Sequence, residues 1–254
     1  MIIRETQHSF IMIKQHDHAF LSGEITKHFD PSLLNSDRHF GDAIYAACQH
    51  DRSWIGLDDT PIWNDETGKP FTFSDYPLLV KMAFYKIGLD EIERVNLYSA
   101  LLCSLHFCSF FTESRNKDCL AFLNEEAIRQ ENLKKLLPDL DEELLHQHFR
   151  LLQFSDDLSL YVCLNEPGAG KEDEHPWFKN GFKNTEIFHN EDQQLAAHWL
   201  NEDEMKIDPF PFTSEFPLPL KFKEVLKSSI KEIGIAKAYE ASEWEEKVVL
   251  AGGS

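Results

Sequence analysis

The residues best suited to chemistry are histidines and aspartates that fall on apolar helix faces. His50 and Asp51 close a helix expected over about 37–52, whose buried face is marked by Phe40, Ala43, Ile44, Ala47 and Cys48. Asp51 lies at i+3 from Cys48 and i+7 from Ile44, and His50 at i+3 from Ala47, so both turn toward that face. Burying a carboxylate beside an imidazole is costly unless a partner compensates. A divalent metal is one such partner, and a salt bridge to an arginine is the other.

Three more polar residues share this placement. His18 lies on a stripe with Leu21, Ile25 and Phe29; His106 is flanked by Leu102, Cys103 and Phe110; Asp156 sits among Phe149, Leu152, Leu160 and Cys163. Asp157 projects about a hundred degrees away from Asp156 and is the less inward of the two acids. Four helices that each present an inward His or Asp make a candidate metal set of His18, His50, Asp51, His106 and Asp156. Imidazole and carboxylate ligands suit a divalent ion such as Mn, Mg, Zn, Fe or Ni. Such an ion lowers the pKa of a bound water toward neutrality, and Asp51 is placed to bridge metals or orient that water. A cation must also balance developing charge; Arg52, Lys69 and Arg150 are the candidates.

The elements that must position these residues follow from the pattern. Met1–Arg4 and Ser9–Lys14 read as a β-hairpin. Helices are expected over 17–29, 37–52, 75–87, 90–111, 116–137 and 141–165, with Gly88 as a break and Pro138 and Pro167 as stops. Residues 53–73, with Trp54, Trp63, Gly68 and Pro70, form a long connection of the kind that serves function or closes as a lid. After Lys171 short apolar runs alternate with prolines and acids and read as β-rich, although 223–233 also fits a helix. The organisation expected is a helical unit over 1–170 that includes the hairpin, and a small β-rich appendage over 171–254.

Composition excludes other classes. With 44 acidic against 25 basic residues and a net charge of −19, the chain lacks the basic stripe that gripping a nucleic-acid polymer needs and the attraction that an anionic membrane surface needs. No run of about 18 apolar residues exists to span a bilayer, and the N-terminus does not read as a signal peptide. Five cysteines without a Cys-x-x-Cys pair read as reduced thiols in a cytoplasmic protein. Glu143 and His146 match half of a ferritin-like pattern with no second copy. Gly168–Lys171 lacks the upstream glycine, following Ser/Thr and preceding strand of a phosphate loop. The aromatic tail of Phe210, Phe212, Phe216 and Phe222 reads as core, with a homo-oligomer surface as the other use of this region.

The order His18, His50-Asp51, Asp156, each on its own helix, resembles the HD superfamily of metal-dependent phosphohydrolases. That resemblance implies a mainly α, HD-like helical bundle, here with a small β-rich region formed by the N-terminal hairpin and the C-terminal segment. It implies His18, His50, Asp51 and Asp156 as ligands, with His106 as an additional ligand or a phosphate-facing group. The chain is also similar to a narrower bacterial group, domain-of-unknown-function family 3891. The similarity rests on Gln15-His16-Asp17-His18, Gln49-His50-Asp51 with Trp54, Thr67-Gly68-Lys69-Pro70 with Phe73, Ser104-Leu105-His106 and Leu151–Asp156 with Leu158–Leu160. The function expected is a metal-dependent hydrolase acting on a phosphorylated small molecule or nucleotide through metal-activated water. The alternatives are a metal- or ligand-binding protein without activity and a di-iron oxygenase.

Overall fold

A computed structural model describes residues 1–189 and 193–253; residues 190–192 and 254, which fall within the expected β-rich stretch, lie outside the described residues. The chain opens with a hairpin, β1 (Ile2–Glu5) and β2 (Ser9–Ile13), and enters α1 (Gln15–His28) and α2 (Phe40–Gln49). A single turn, Arg52–Trp54, leads to a two-stranded hairpin, β3 (Trp63–Asn64) and β4 (Lys69–Pro70). Four helices follow: α3 (Leu78–Glu93), α4 (Leu97–Ser109), α5 (Lys117–Leu136) and α6 (Glu142–Leu164). The remainder is β5 (Ala196–Trp199), β6 (Glu204–Asp208), β7 (Phe216–Leu226), α7 (Lys227–Ile233), α8 (Ile235–Ala241) and β8 (Glu245–Gly252).

Local chemistry sets the helix starts. Asp141 accepts from the backbone N–H groups of Glu143 and Leu144, and the acids of that first turn oppose the positive end of α6. Asn96 and Asn116 cap α4 and α5 in the same way. Gly88 does not break the helix expected to end there: α3 runs through it to Glu93. A Cβ at Gly88 would stand 2.8–2.9 Å from the Cβ, Cα and N of Ser53. The glycine serves the close approach of the Arg52–Trp54 turn, and the break falls instead at Asn96.

The strands form one mixed sheet of six, in the order β1-β2-β7-β8-β6-β5, in which only the β6–β8 pair is parallel. Its centre is β7, which pairs with β8 over Phe216–Phe222 and with β2 over Lys223–Leu226. At the handover the side-chain alternation slips. Phe216, Leu218 and Leu220 are buried, and then Lys223 and Val225, so the strand buries one face first and the other face afterwards. Pro217 and Pro219 take exposed positions in the half that has a partner on one side only, where a missing N–H costs little.

This sheet overturns the expected mainly α, HD-like bundle with a small β-rich region. Among the described residues 48% are helical and 17% lie in strands, and the sheet curls into a half-barrel packed with eight helices, an α/β fold. In the sequence the segment after Lys171 reads as a small β-rich appendage, because its prolines break it into short runs, and the face switch in β7 hides the period of its longest strand. The sheet supplies 12 of the 29 buried residues of the largest core: Ile11 and Ile13 of β2, Leu218 and Leu220 of β7 and Val249 of β8 pack against Leu21, Ile25 and Phe29 of α1 and Leu151, Phe154 and Leu158 of α6. A second core joins α2, α3, α4 and α5 to the other side of α6 through Leu145 and Leu152. Each fully buried Leu or Phe contributes about 1.5–3 kcal/mol, so α6, with side chains in both cores, is held from two directions. A third, smaller cluster lies on the outer face of the hairpin, where Phe10, Met12 and Val225 meet Ala238 and Tyr239 of α8.

Candidate metal centre

The five residues singled out in the sequence converge where α1, α2, α4 and α6 meet. His18 Nε2 lies 3.0 Å from Asp51 Oδ2 and 3.5 Å from Asp156 Oδ1. His50 Nε2 lies 3.2 Å from Asp156 Oδ1 and 3.8 Å from Asp51 Oδ2, and His106 Nε2 lies 3.3 Å from Asp156 Oδ2. All five are buried. They form two overlapping groups, His18–His50–Asp51 and His50–His106–Asp156, with ligand atoms within 4.8 Å of one another. Atoms that share one ion at about 2.1 Å stand roughly 3.0–3.4 Å apart in tetrahedral or octahedral arrangement. Three of the five contacts, at 3.0, 3.2 and 3.3 Å, fall in that range, and the pairs at 3.5 and 3.8 Å lie outside it.

Each element delivers its ligand for a local reason. His18 is on the buried face of α1 beside Leu21 and Ile25, as its spacing predicts. His50 and Asp51 stand just past the end of α2, shorter than the helix expected to reach residue 52, and the turn that follows is anchored by the fully buried Trp54 against Tyr76 and Tyr85. Gly23 lets α1 and α2 approach closely enough for His18 and His50 to meet, since a Cβ there would fall 2.0 Å from Cys48 Sγ. Asp156, not Asp157, faces the histidines, which resolves the choice that the sequence leaves open.

Hydrogen bonds orient the rings. His50 Nδ1 donates to the Ala47 carbonyl at 2.8 Å, and a carbonyl only accepts, so the Nε2 of a neutral His50 presents a lone pair to the carboxylates. Ser159 Oγ donates to the Asp156 carbonyl (2.8 Å) and lies 2.7 Å from His18 Nδ1 and 2.9 Å from Ser22 Oγ; in the tautomer in which Nδ1 donates to Ser159, the His18 Nε2 lone pair turns toward the carboxylates, and in the other tautomer Nε2 donates to Asp51 at 3.0 Å. Neither nitrogen of His106 has a hydrogen-bond partner, nor does His50 Nε2. Lone pairs facing carboxylates in a buried site require a cation between them, either a metal ion or protons. With protons alone, burial would lower the His50 pKa, but Asp51 and Asp156 raise it to about 9. Burial would raise Asp156, but the charge of His50, and then that of His106, held 3.2 and 3.3 Å from its carboxylate, keep it well below the usual carboxylate range.

The cluster floors a cavity of about 360 Å³, at the small end of ligand sites. Trp54, Phe73, Tyr85, Phe110 and Trp177 make most of its wall. Its cation is Lys81, which the sequence reading missed: Nζ donates to the carbonyls of Phe73 (2.9 Å) and Ser74 (3.2 Å), and burial lowers its pKa. Asp157 also faces this cavity, and burial followed by repulsion from Asp156 pushes its pKa up to about 7. Gln15 contributes a buried, unpartnered Oε1. The expected cations are elsewhere: Arg52 pairs with Glu91, Lys69 with Glu5, and Arg150 binds Gln153 and His146. The 53–73 segment supplies Trp54 and Phe73 to the wall, and Phe73 N–H is held by the Met1 carbonyl at 2.9 Å.

Among the described residues no helix is long and apolar enough to cross a membrane. No curated protein and no solved structure matches the chain. Residues 1–227 match the family described as Protein of unknown function (DUF3891), and the chain belongs to that family.

Proposed function

We propose that this protein is a metal-dependent hydrolase acting on a phosphorylated small molecule. The observation that carries the reading is the convergence of three imidazole Nε2 atoms and two carboxylates, at coordination spacing, on the floor of one cavity. His18, His50, Asp51, His106 and Asp156 would hold a divalent ion of the Mn, Mg, Zn, Fe or Ni class. Such an ion, when bound, activates water as a nucleophile near neutral pH and polarises a phosphoryl oxygen. Asp51 orients the nucleophile, since its Oδ2 faces both His18 and His50. Lys81 offers an N–H not taken by its two carbonyls to a substrate oxygen. Asp157, on the same wall, is the group to protonate a leaving oxygen. The ligand order resembles that of the HD phosphohydrolases, and the reading takes from it the chemistry alone, because the fold is α/β. Five unpaired thiols are in keeping with a cytoplasmic setting.

A second reading has its own support. The close His18–Asp51 contact and the raised His50 pKa are also what a metal-free imidazolium–carboxylate network produces, in a binding protein without activity. Elemental analysis of untagged protein beside a His50→Ala/Asp51→Ala variant separates the two. Near-stoichiometric metal lost in the variant supports the hydrolase, and a screen of phosphomonoesters with the ion found then tests activity. Absence of metal in both, even after reconstitution with Mn²⁺, Zn²⁺ and Fe²⁺, overturns it. Stoichiometric iron with a visible absorption band would move the reading to a di-iron oxygenase.

A further inference from the structure

A separate cavity of about 440 Å³ lies on the outer face of the hairpin, beneath α8. Lys14, Lys223, Lys237, Tyr239 and Trp244 line it, together with Thr60. In a chain of net charge −19, three lysines around one hollow stand out, and two of its side chains are electrostatically incomplete. Lys223 is 7% exposed. Its ammonium donates to the Tyr239 carbonyl at 2.9 Å and lies over the rings of Tyr239 and Trp244, at 4.7 and 5.1 Å from their centroids. No carboxylate pairs with it among the described residues. Carbonyl and ring contacts compensate a buried cation only in part. Tyr239 is 5% exposed, and its hydroxyl is buried with no hydrogen-bond partner. An orphaned hydroxyl and an unpaired buried ammonium, on two residues that line the same cavity, ask for the same thing, an oxyanion that accepts from both.

We propose that this cavity is a binding site for a small molecule carrying a phosphate or carboxylate group, received by Lys223 and the Tyr239 hydroxyl and flanked by Lys14 and Lys237. Lys237 makes no ion pair among the described residues, and Lys14 stands 3.5 Å from Asp59, an exposed and easily exchanged partner. Two acids, Asp59 and Glu240, also line the hollow, so the three lysines leave it net positive. The rim presents the half-exposed indole of Trp244, a surface for the apolar body of the ligand. The site is distinct from the metal centre: Lys14 lines this cavity, and its neighbour Gln15 lines the other.

The test is isothermal titration of the full-length protein with inorganic phosphate, phenyl phosphate and benzoate, each repeated on Tyr239→Phe and Lys237→Ala. Tyr239→Phe removes a hydroxyl that bonds nothing in the free protein, so its thermal midpoint should match the wild type while binding weakens about tenfold. Lys237→Ala, at an exposed position, should also weaken binding several-fold and flatten its dependence on NaCl. Lys81→Met, in the metal cavity, should leave this binding event unchanged. Whichever of phenyl phosphate and benzoate binds more tightly identifies the oxyanion. Absence of binding by all three probes, or binding altered less than twofold by both variants, overturns the proposal.

Discussion

Ser159→Ala tests the metal centre at a residue that touches no metal. Ser159 is fully buried on α6, one turn after Asp156, and its hydroxyl pairs with His18 Nδ1 at 2.7 Å; in the tautomer that a metal ligand needs, it receives the Nδ1 N–H. Removing it leaves that N–H without an acceptor in a site where His18 is 1% exposed. An unsatisfied buried donor costs about 1–3 kcal/mol. Loss of the group that orients a ligating imidazole lowers metal affinity by about 10- to 100-fold, which is about 1.4–2.8 kcal/mol at ~1.4 kcal/mol per decade. The two routes give the same range, because the same hydrogen bond is being counted once from each side. The assay is competition for Zn²⁺ or Mn²⁺ against a chromophoric chelator, with urea unfolding of the metal-free variant alongside. The expected result is a weakened metal Kd within that range, with the bound-state ¹⁵N shift of His18 Nδ1 displaced. A Kd within twofold of wild type, with only the metal-free stability reduced, would refute the orientation argument and remove His18 from the ligand set.

Gly88→Ala should cost about 1–3 kcal/mol by overpacking and lower metal occupancy as well, because the clash is with the Ser53 backbone, two residues from Asp51; urea midpoints and metal content read the two effects, and an unchanged metal content would detach that turn from the site. Lys81→Met should reduce kcat/KM toward a phosphomonoester about 10- to 100-fold, the worth of a hydrogen bond to a charged group, with bound metal unchanged; an equal loss of metal would mean that the lysine is structural. His148, buried with its Nδ1 hydrogen-bonded to the Tyr98 hydroxyl at 2.8 Å, has its pKa lowered to about 4 by burial. Its unfolded form takes up a proton first as pH falls, so the stability held above pH 6.5 is lost between about 6.5 and 4, by roughly 3 kcal/mol in all. His148→Gln should flatten that part of the urea-midpoint profile, and an unchanged slope would place the acid sensitivity elsewhere.

The histidine–aspartate cluster was legible because helical periodicity exposes a polar residue on an apolar face: His18, His50, Asp51, His106 and Asp156 each violate the stripe that they sit on, and all five meet. Lys81 violates nothing. It follows a long irregular segment and is placed by two carbonyls, Phe73 and Ser74, whose positions no local pattern encodes. The hairpin and most helices were legible for the same reason as the cluster. A β-rich region shared by the hairpin and the C-terminal segment was legible, but its extent as a six-stranded sheet was not, because β7 changes partner and buried face between Phe222 and Lys223, which breaks the period-two signal at the strand that joins both ends of the chain. Gly88 illustrates a different limit: a glycine demanded by a distant backbone looks, in one dimension, like a helix break.

The two cores explain why these four helices can hold a cluster of buried charges at all. His18 rides on α1, which is packed against the sheet, whereas His50 and His106 belong to helices of the second core. Asp156, on the helix that both cores share, contacts all three histidines. A buried carboxylate among imidazoles repels or attracts its surroundings strongly enough to distort a loosely packed site. Here that strain is opposed by apolar packing on both sides of α6, so the spacing of the five side chains is set by the scaffold. The outer layer of α7 and α8 belongs to neither of these cores; its Ala238 and Tyr239 pack on the hairpin instead. Occupancy of the lysine-lined cavity beneath α8 can therefore change without repacking the metal centre, and the point at which the two sites touch is the start of α1, where Gln15 N–H is held by Asp58 at 2.6 Å and Lys14 by Asp59.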